Sequence, residues 1–124
     1  MSVPYNPQIM ARRSDADLSS AAWKCAIANG DDDTDVSGAG GDVIGVFTDD
    51  VKDGSSTAAF NAMQYAGIGK VSFGGAVTAG ASIKSDASGE AVVGTTGDVC
   101  FGYALETHAD GDIGAFVFSR HTAP

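Results

Sequence analysis

The stretch that decides the fold is AVTAGASIKSDASGEAVVGTTGDVCFGYALE, residues 76–106. It has the glycine, alanine and aspartate content of a linker, yet short runs of β-forming residues recur through it at intervals of roughly 8–12 residues. Asp86 and Gly89 stand between two such runs and predict a hairpin turn. Gly102 lies inside another run and predicts a bulge or a close backbone approach. The stretch therefore predicts an all-β barrel or sandwich of short strands joined by tight turns.

The same pattern extends in both directions from this stretch. In AAWKCAIA (21–28), Trp23, Cys25 and Ile27 alternate with polar or small residues, as in a half-buried strand. Further strands are predicted at 43–48 and 113–119, with an acidic, glycine-rich loop at 29–42. The segment 57–73 is compatible with a helix or with two strands, and the interruption at Ala66–Gly69 favours strands at 57–65 and 68–73. The predicted turn glycines are Gly54, Gly80, Gly89 and Gly111.

Composition limits the classes of function. Sixteen acidic and seven basic residues give a net charge of −9, which argues against binding to nucleic acid or to anionic membranes. Leucine occurs only at Leu18 and Leu105, and seventeen glycines raise the entropy cost of folding. We therefore expect the fold to share its stability with other copies of the chain or with a larger assembly.

The chain divides into three predicted parts. Residues 1–20 carry two prolines and little periodicity, so they are predicted to form an extended N-terminal arm. Residues 21–119 form the predicted β domain, and residues 120–124 a short tail. No apolar segment resembling a secretory signal opens the sequence and no run reaches the length of a membrane span, so we expect synthesis in the cytoplasm.

Catalytic and cofactor motifs are missing from the sequence, and we expect neither enzyme activity nor a cofactor. The best candidate for a metal site is the run containing Asp31, Asp33 and Asp35, whose spacing matches the start of a calcium loop. Val36 and Asp42 stand where such a loop needs glycine and glutamate. A solvated acidic loop and weak Ca²⁺ or Mg²⁺ binding are the two interpretations, the first being favoured.

The histidines, the cysteines and the single tryptophan are the other candidates for a functional role. His108 and His121 lie in polar turn or tail segments and are predicted to be solvated. Cys25 and Cys100 each lie in an apolar run, which favours two buried free thiols, with a single disulfide as the alternative. Trp23 is predicted to belong to the core, with an interface position as the alternative.

The C-terminal half resembles the small capsid cement, or decoration, proteins of tailed bacteriophages. The likeness rests on turn and small-residue elements: Gly75–Gly80, Ser85–Asp86 with Gly89, Gly97–Asp98, Gly102–Leu105 and Gly111–Asp112. The likeness extends upstream through DLSSAAWKCAIANG and GDVIGVFTDDV, so it covers about residues 17–119. The chain departs from the pattern in its acidic run at 31–35 and in the alanine-rich segment 57–65.

This resemblance implies a structural virion protein without enzyme activity. Such proteins bind the outer surface of the expanded capsid, commonly as trimers, bridge major capsid protein subunits and stabilise the shell against the pressure of packaged DNA. The alternative is another β-rich phage module, from a tail, a fibre or a host-adhesion device.

We expect the arm to supply capsid contacts. Tyr5, Ile9 and Met10 would be apolar anchors, and Arg12 and Arg13, the only adjacent basic pair, would meet acidic groups of the capsid. The alternative is an arm that is disordered or packs on its own trimer.

Overall fold

The computed structural model describes residues 8–14, 16–30, 33–49, 51–57 and 59–124. Tyr5 and Asp31 lie outside this part of the chain. Ten strands occur within it: β1 Gln8–Ser14, β2 Cys25–Ala28, β3 Thr34–Val36, β4 Gly45–Phe47, β5 Ala59–Ala66, β6 Ile68–Ser72, β7 Ser82–Ser85, β8 Ala91–Val93, β9 Val99–Ala104 and β10 Ile113–Thr122. None of the described residues forms a helix long and apolar enough to cross a membrane.

The strands form two antiparallel sheets of five strands each, in the orders β1-β5-β4-β2-β3 and β6-β10-β9-β7-β8. The chain completes the first sheet before it begins the second, and it passes between them at Gly67, whose φ of 86° suits glycine. The all-β prediction is confirmed, and of its two architectures the molecule has the sandwich. The strands predicted in the ambiguous segment 57–73 are also confirmed as β5 and β6.

The buried apolar residues form two clusters. The larger lies between the sheets, where Cys25 and Val46 of the first sheet meet the buried phenylalanines of the second, Phe73, Phe101 and Phe116. The smaller lies on the other face of the first sheet and contains Leu18, Ala21, Ala26, Phe47 and Met63. Both faces of β4 are therefore covered, and all three of its residues are buried.

The first sheet curls until its two edge strands, β1 and β3, approach each other. Arg12 Nε donates a hydrogen bond to Thr34 Oγ1 at 2.9 Å, and the Arg13 guanidinium bonds the carboxylate of the buried Asp33. We call these two contacts the arginine clasp. Side chains rather than backbone hydrogen bonds thus join the two edges of this sheet.

Three boundaries differ from the sequence prediction. Residues 8–14 of the expected arm form an edge strand, because their extended backbone pairs with β5. The paired residues run from Gln8–Ala66 to Ser14–Ala59. The expected loop at 29–42 contains β3. The expected tail continues β10 to Thr122. After it, the Ala123 N–H donates to the Asp98 carbonyl at 2.8 Å, and Ala123 is buried against the domain.

The predicted turn glycines serve two purposes. Gly80, Gly89 and Gly111 have φ values of 87°, 80° and 90°, which confirms the left-handed turns. Gly54 is instead required for close packing, since a Cβ there would lie 2.3 Å from the Ser14 carbonyl oxygen. Gly102 confirms the predicted close approach, because its Cβ would lie 2.2 Å from the Val117 carbonyl oxygen.

The two cysteines are buried free thiols, as predicted. Burial raises the pKa of the Cys25 thiol far above its ordinary value, because the interior disfavours a thiolate. Burial also raises the pKa of Cys100. Neither thiol is suited to act as a nucleophile.

Candidate interaction surface

A groove of about 480 Å³ opens beside β6. It exists because the second sheet ends at β6 while the first sheet continues through β5 and β1. Most of its walls are apolar. The lining residues are Ile9, Trp23, Thr48, Asp49, Ala62, Gln64, Ile68, Gly69, Lys70 and Ala115.

Trp23 lines this groove. Its φ of 64° is the only positive value at a non-glycine residue in the described chain, and this conformation costs roughly 1–2 kcal/mol for a residue with a Cβ. The backbone explains it: the Trp23 N–H donates to the Phe47 carbonyl at 3.0 Å, and the Trp23 carbonyl accepts from the Ser72 N–H at 2.8 Å. Trp23 therefore bridges the two sheets.

This bridge also corrects the predicted strand at 21–28. The strand begins only at Cys25, because the turn at Ala21–Lys24 carries Trp23 out of the alternating pattern. Trp23 is half-buried in the groove wall instead of lying in the core.

Gln64 also lines the groove. Its Nε2 donates to the carbonyls of Ala66 and Ile68, both at 2.9 Å, across the turn that joins the sheets. Its position opposite Val46 places it on the face of the first sheet that packs against the second. Beyond β6, none of the described strands covers this face.

The predicted capsid contacts fall into two groups. Ile9 and Met10 are exposed on β1, at 57% and 36%, and Ile9 also lines the groove. Arg12 and Arg13 form the arginine clasp within the chain, although about half of the Arg13 side chain remains exposed. The structure thus separates the predicted apolar anchors from the basic pair.

The acidic run does not form a metal site in the described part of the chain. Asp33 is buried and paired with Arg13, and the Asp35 Oδ1 accepts from the Val36 N–H at 2.8 Å. No group of three or more His, Cys, Asp or Glu suited to a metal ion occurs among the described residues. The pairing of Arg13 with Asp33 was not predicted from the sequence. The only feature of the sequence that pointed to this ion pair was the presence of a basic pair and an acidic run in one short domain.

The prediction of two solvated histidines is wrong. His108 is buried and stacks on Phe73 with the ring centroids 4.3 Å apart, because paired backbone hydrogen bonds with Val77 fold its turn back onto the sheet. His121 stacks on Tyr103 at 4.1 Å, and its Nε2 lies 2.8 Å from Ser82 Oγ. Both rings fill space between strands.

Comparison with known proteins gives one informative likeness. No family model matches the chain, and no curated protein matches it. Among solved structures it resembles the N base of head fiber gp8.5 of bacteriophage phi29, with a TM-score of 0.70 and 21% sequence identity. The match covers 94% of this chain and 99% of that chain. The two proteins share a fold along almost their whole lengths.

Proposed function

We propose that the chain is a structural protein of a bacteriophage virion, mounted on the outer surface of the head. The observation that carries the proposal is the fold shared with the base of a phage head fiber across 94% of this chain. Because a shared fold alone does not specify function, the turn pattern that resembles capsid cement proteins supplies separate support.

In its finer form, the proposal is that the protein decorates the expanded capsid, bridges major capsid protein subunits and stabilises the shell against packaged DNA. The apolar groove, with the exposed Ile9 in its wall, favours a contact with another protein. The protein is made in the host cytoplasm and acts without enzyme activity or a cofactor. Neither nucleic acid nor a membrane is a partner, in keeping with the charge of −9.

A homotrimer is the proposed state, since a small fold gains stability and binding strength when several weak contacts act together. Light scattering coupled to size exclusion should give three times the chain mass of 12.4 kDa. A single-chain mass at all concentrations would contradict the trimer.

The test of the main proposal uses expanded, empty shells of the phage that encodes the chain. We expect the purified protein to co-sediment with these shells, to appear on their outer surface by electron microscopy, and to raise their melting temperature. A protein that leaves the shells bare at micromolar concentration would refute the proposal.

A second candidate is the base of a head fibre, or another β-rich fibre or adhesion module, and the identity of the structural neighbour favours it. A fibre base would bind the shells without raising their melting temperature, whereas an adhesion module would bind host cells in preference to shells.

A further inference from the structure

The outer edge of β6 is open at its centre. On its inner side β6 pairs with β10, in a register that sets Lys70 opposite Ala115. The Phe73 N–H points toward β10, where it donates to the Asp112 carbonyl at 2.8 Å. Hydrogen-bonding groups alternate between the two sides of an antiparallel strand. The N–H and C=O of Lys70 therefore point away from β10, into the groove.

Both ends of this edge are already occupied. The Ser72 N–H is taken by the Trp23 carbonyl, and the Ile68 carbonyl accepts from the Gln64 side chain. Lys70 lies between them, and no other strand pairs with this side of β6 in the described chain. Proteins usually cover or blunt such an edge.

The groove offers an uncovered apolar sheet face next to this edge. Ala62 and Gln64 lie on the face of β5 that continues the sandwich interface, and Ile9 extends it on β1. One more strand added to β6 would cover this face, and the volume of about 480 Å³ is in the range that bound ligands fill.

We propose that an extended segment of the shell subunit binds here as a sixth strand of the second sheet. This inference rests on the proposed function. The segment would exchange backbone hydrogen bonds with Lys70 and lay small or apolar side chains onto Ile9 and Ala62.

The side chain of Lys70 defines one further feature of the segment. Lys70 is exposed, and its ammonium forms no ion pair with the described residues. A carboxylate opposite it would make a favourable cross-strand pair. A second copy of β6 centred on this position would instead place two lysines opposite each other, so a foreign acidic segment suits the edge better than self-pairing does.

The test compares two matched pairs of variants in equilibrium binding to expanded empty shells. Lys70→Pro removes the groove-facing N–H and leaves the ladder with β10 intact. Its control is Val93→Pro on β8, the opposite edge of the same sheet. The Gly94 N–H faces β7, where it donates to the Ser82 carbonyl, so the N–H of Val93 faces outward.

The second pair probes the groove wall. Ile9→Glu places a charge on the apolar face, and Ile113→Glu is its control at a similar exposure, 52% against 57%. We expect Lys70→Pro and Ile9→Glu each to weaken binding about tenfold or more, and both controls to remain within about twofold of the unmodified chain. Melting temperatures establish that each variant is folded. Amide exchange at Lys70 gives a readout on the unmodified chain, and the amide should become protected when shells bind.

The other outcomes overturn the inference in distinguishable ways. Shell binding that is equal in all four variants, with an unprotected Lys70 amide, overturns this inference and leaves the proposed function standing. No binding by the unmodified chain overturns both. A Lys70 amide that is protected in the free chain and exposed by deletion of residues 2–7 would show that the chain fills its own groove. A reduced oligomeric mass in Lys70→Pro would assign the edge to a second copy.

Discussion

The two sheets of the molecule treat their edge strands in different ways. The first sheet curls, and the side chains of the arginine clasp join β1 to β3. In the second sheet the chain just after β6 contacts the start of β8, where the Gly74 N–H donates to the Ala91 carbonyl at 2.9 Å, but the centre of β6 stays open. The difference teaches that a protein of very short strands can join one pair of edges through side chains and leave part of another edge unpaired. An edge that is left open beside an apolar face is then a candidate for binding.

The sheets differ in their cores as well. The cluster between the sheets is rich in phenylalanine from the second sheet, whereas the cluster inside the first sheet depends on Leu18, Phe47, Met63 and alanines. We therefore expect the second sheet to carry most of the stability.

The largest expected effect tests this imbalance. Phe73 is fully buried and stacks on His108, so Phe73→Ala should lower the free energy of unfolding by about 3–5 kcal/mol through lost burial and a cavity. Denaturant titration measures it. Phe60→Ala, at a phenylalanine that is 58% exposed on the first sheet, should cost no more than about 0.5 kcal/mol. Similar losses in the two variants would contradict the imbalance.

The next effect concerns the packing of His108 in the second sheet. A Cβ at Gly114 would lie 1.9 Å from His108 Cε1, so Gly114→Ala should displace the ring and cost about 1–3 kcal/mol. Gly38→Ala is the control, because nothing lies within 4 Å of its added Cβ. In a His108→Ala background the Gly114→Ala cost should shrink, and an unchanged cost would show that the ring is not the obstacle.

The arginine clasp gives a comparable or smaller effect. Arg13→Gln would leave the buried Asp33 carboxylate without its cation and should lower the free energy of unfolding by about 1–3 kcal/mol. We expect the lower end of this range because Arg13 is half exposed. Asp33→Asn in the same chain should recover part of the loss. A double-mutant cycle by thermal or denaturant unfolding measures the coupling, and strictly additive losses would mean that the clasp does not couple the two edges.

The smallest effect is a pH dependence in the second sheet. A hydrogen bond from Lys84, followed by bonds from Thr95, lowers the pKa of the partly exposed Asp98 from 3.8 to about 2. The folded state therefore gains stability from ionised Asp98 above about pH 4 and loses it as the pH falls toward 2. Asp98→Asn and Lys84→Gln should each flatten the loss of stability in this window. An acid profile identical to that of the unmodified chain in both variants would contradict it.

Much of the second sheet could be predicted from the sequence because its strands are joined by local turns. Gly80, Gly89 and Gly111 mark reversals that depend only on residues close by in the chain, and the predicted strands before and after them correspond to β7, β8, β9 and β10. The first sheet was harder. Its edge strand β1 pairs with β5, far along the chain, and has only one β-branched residue, Ile9. The other edge strand, β3, pairs with the neighbouring β2 but lies within an acidic stretch that is typical of a loop.

The candidate binding surface was predicted only in part. Ile9 was expected to contact a partner, and the structure places it at the groove. Trp23 and Lys70 were not connected with the groove. The groove exists only because the second sheet ends at β6, where the first sheet continues through β5 and β1. The two histidines were misjudged for the same reason, as their stacking partners, Phe73 and Tyr103, lie elsewhere in the chain.

The amino-acid sequence by itself determined the β class, the positions of most of the tight turns and the acidic character of the chain. These depend on local backbone preferences and on composition. Only the tertiary structure decided which edges are joined, which rings are buried and where an open strand lies beside an apolar face. The physical reason is that edge pairing and burial depend on contacts between residues distant in the chain, and these exist only once both sheets have packed.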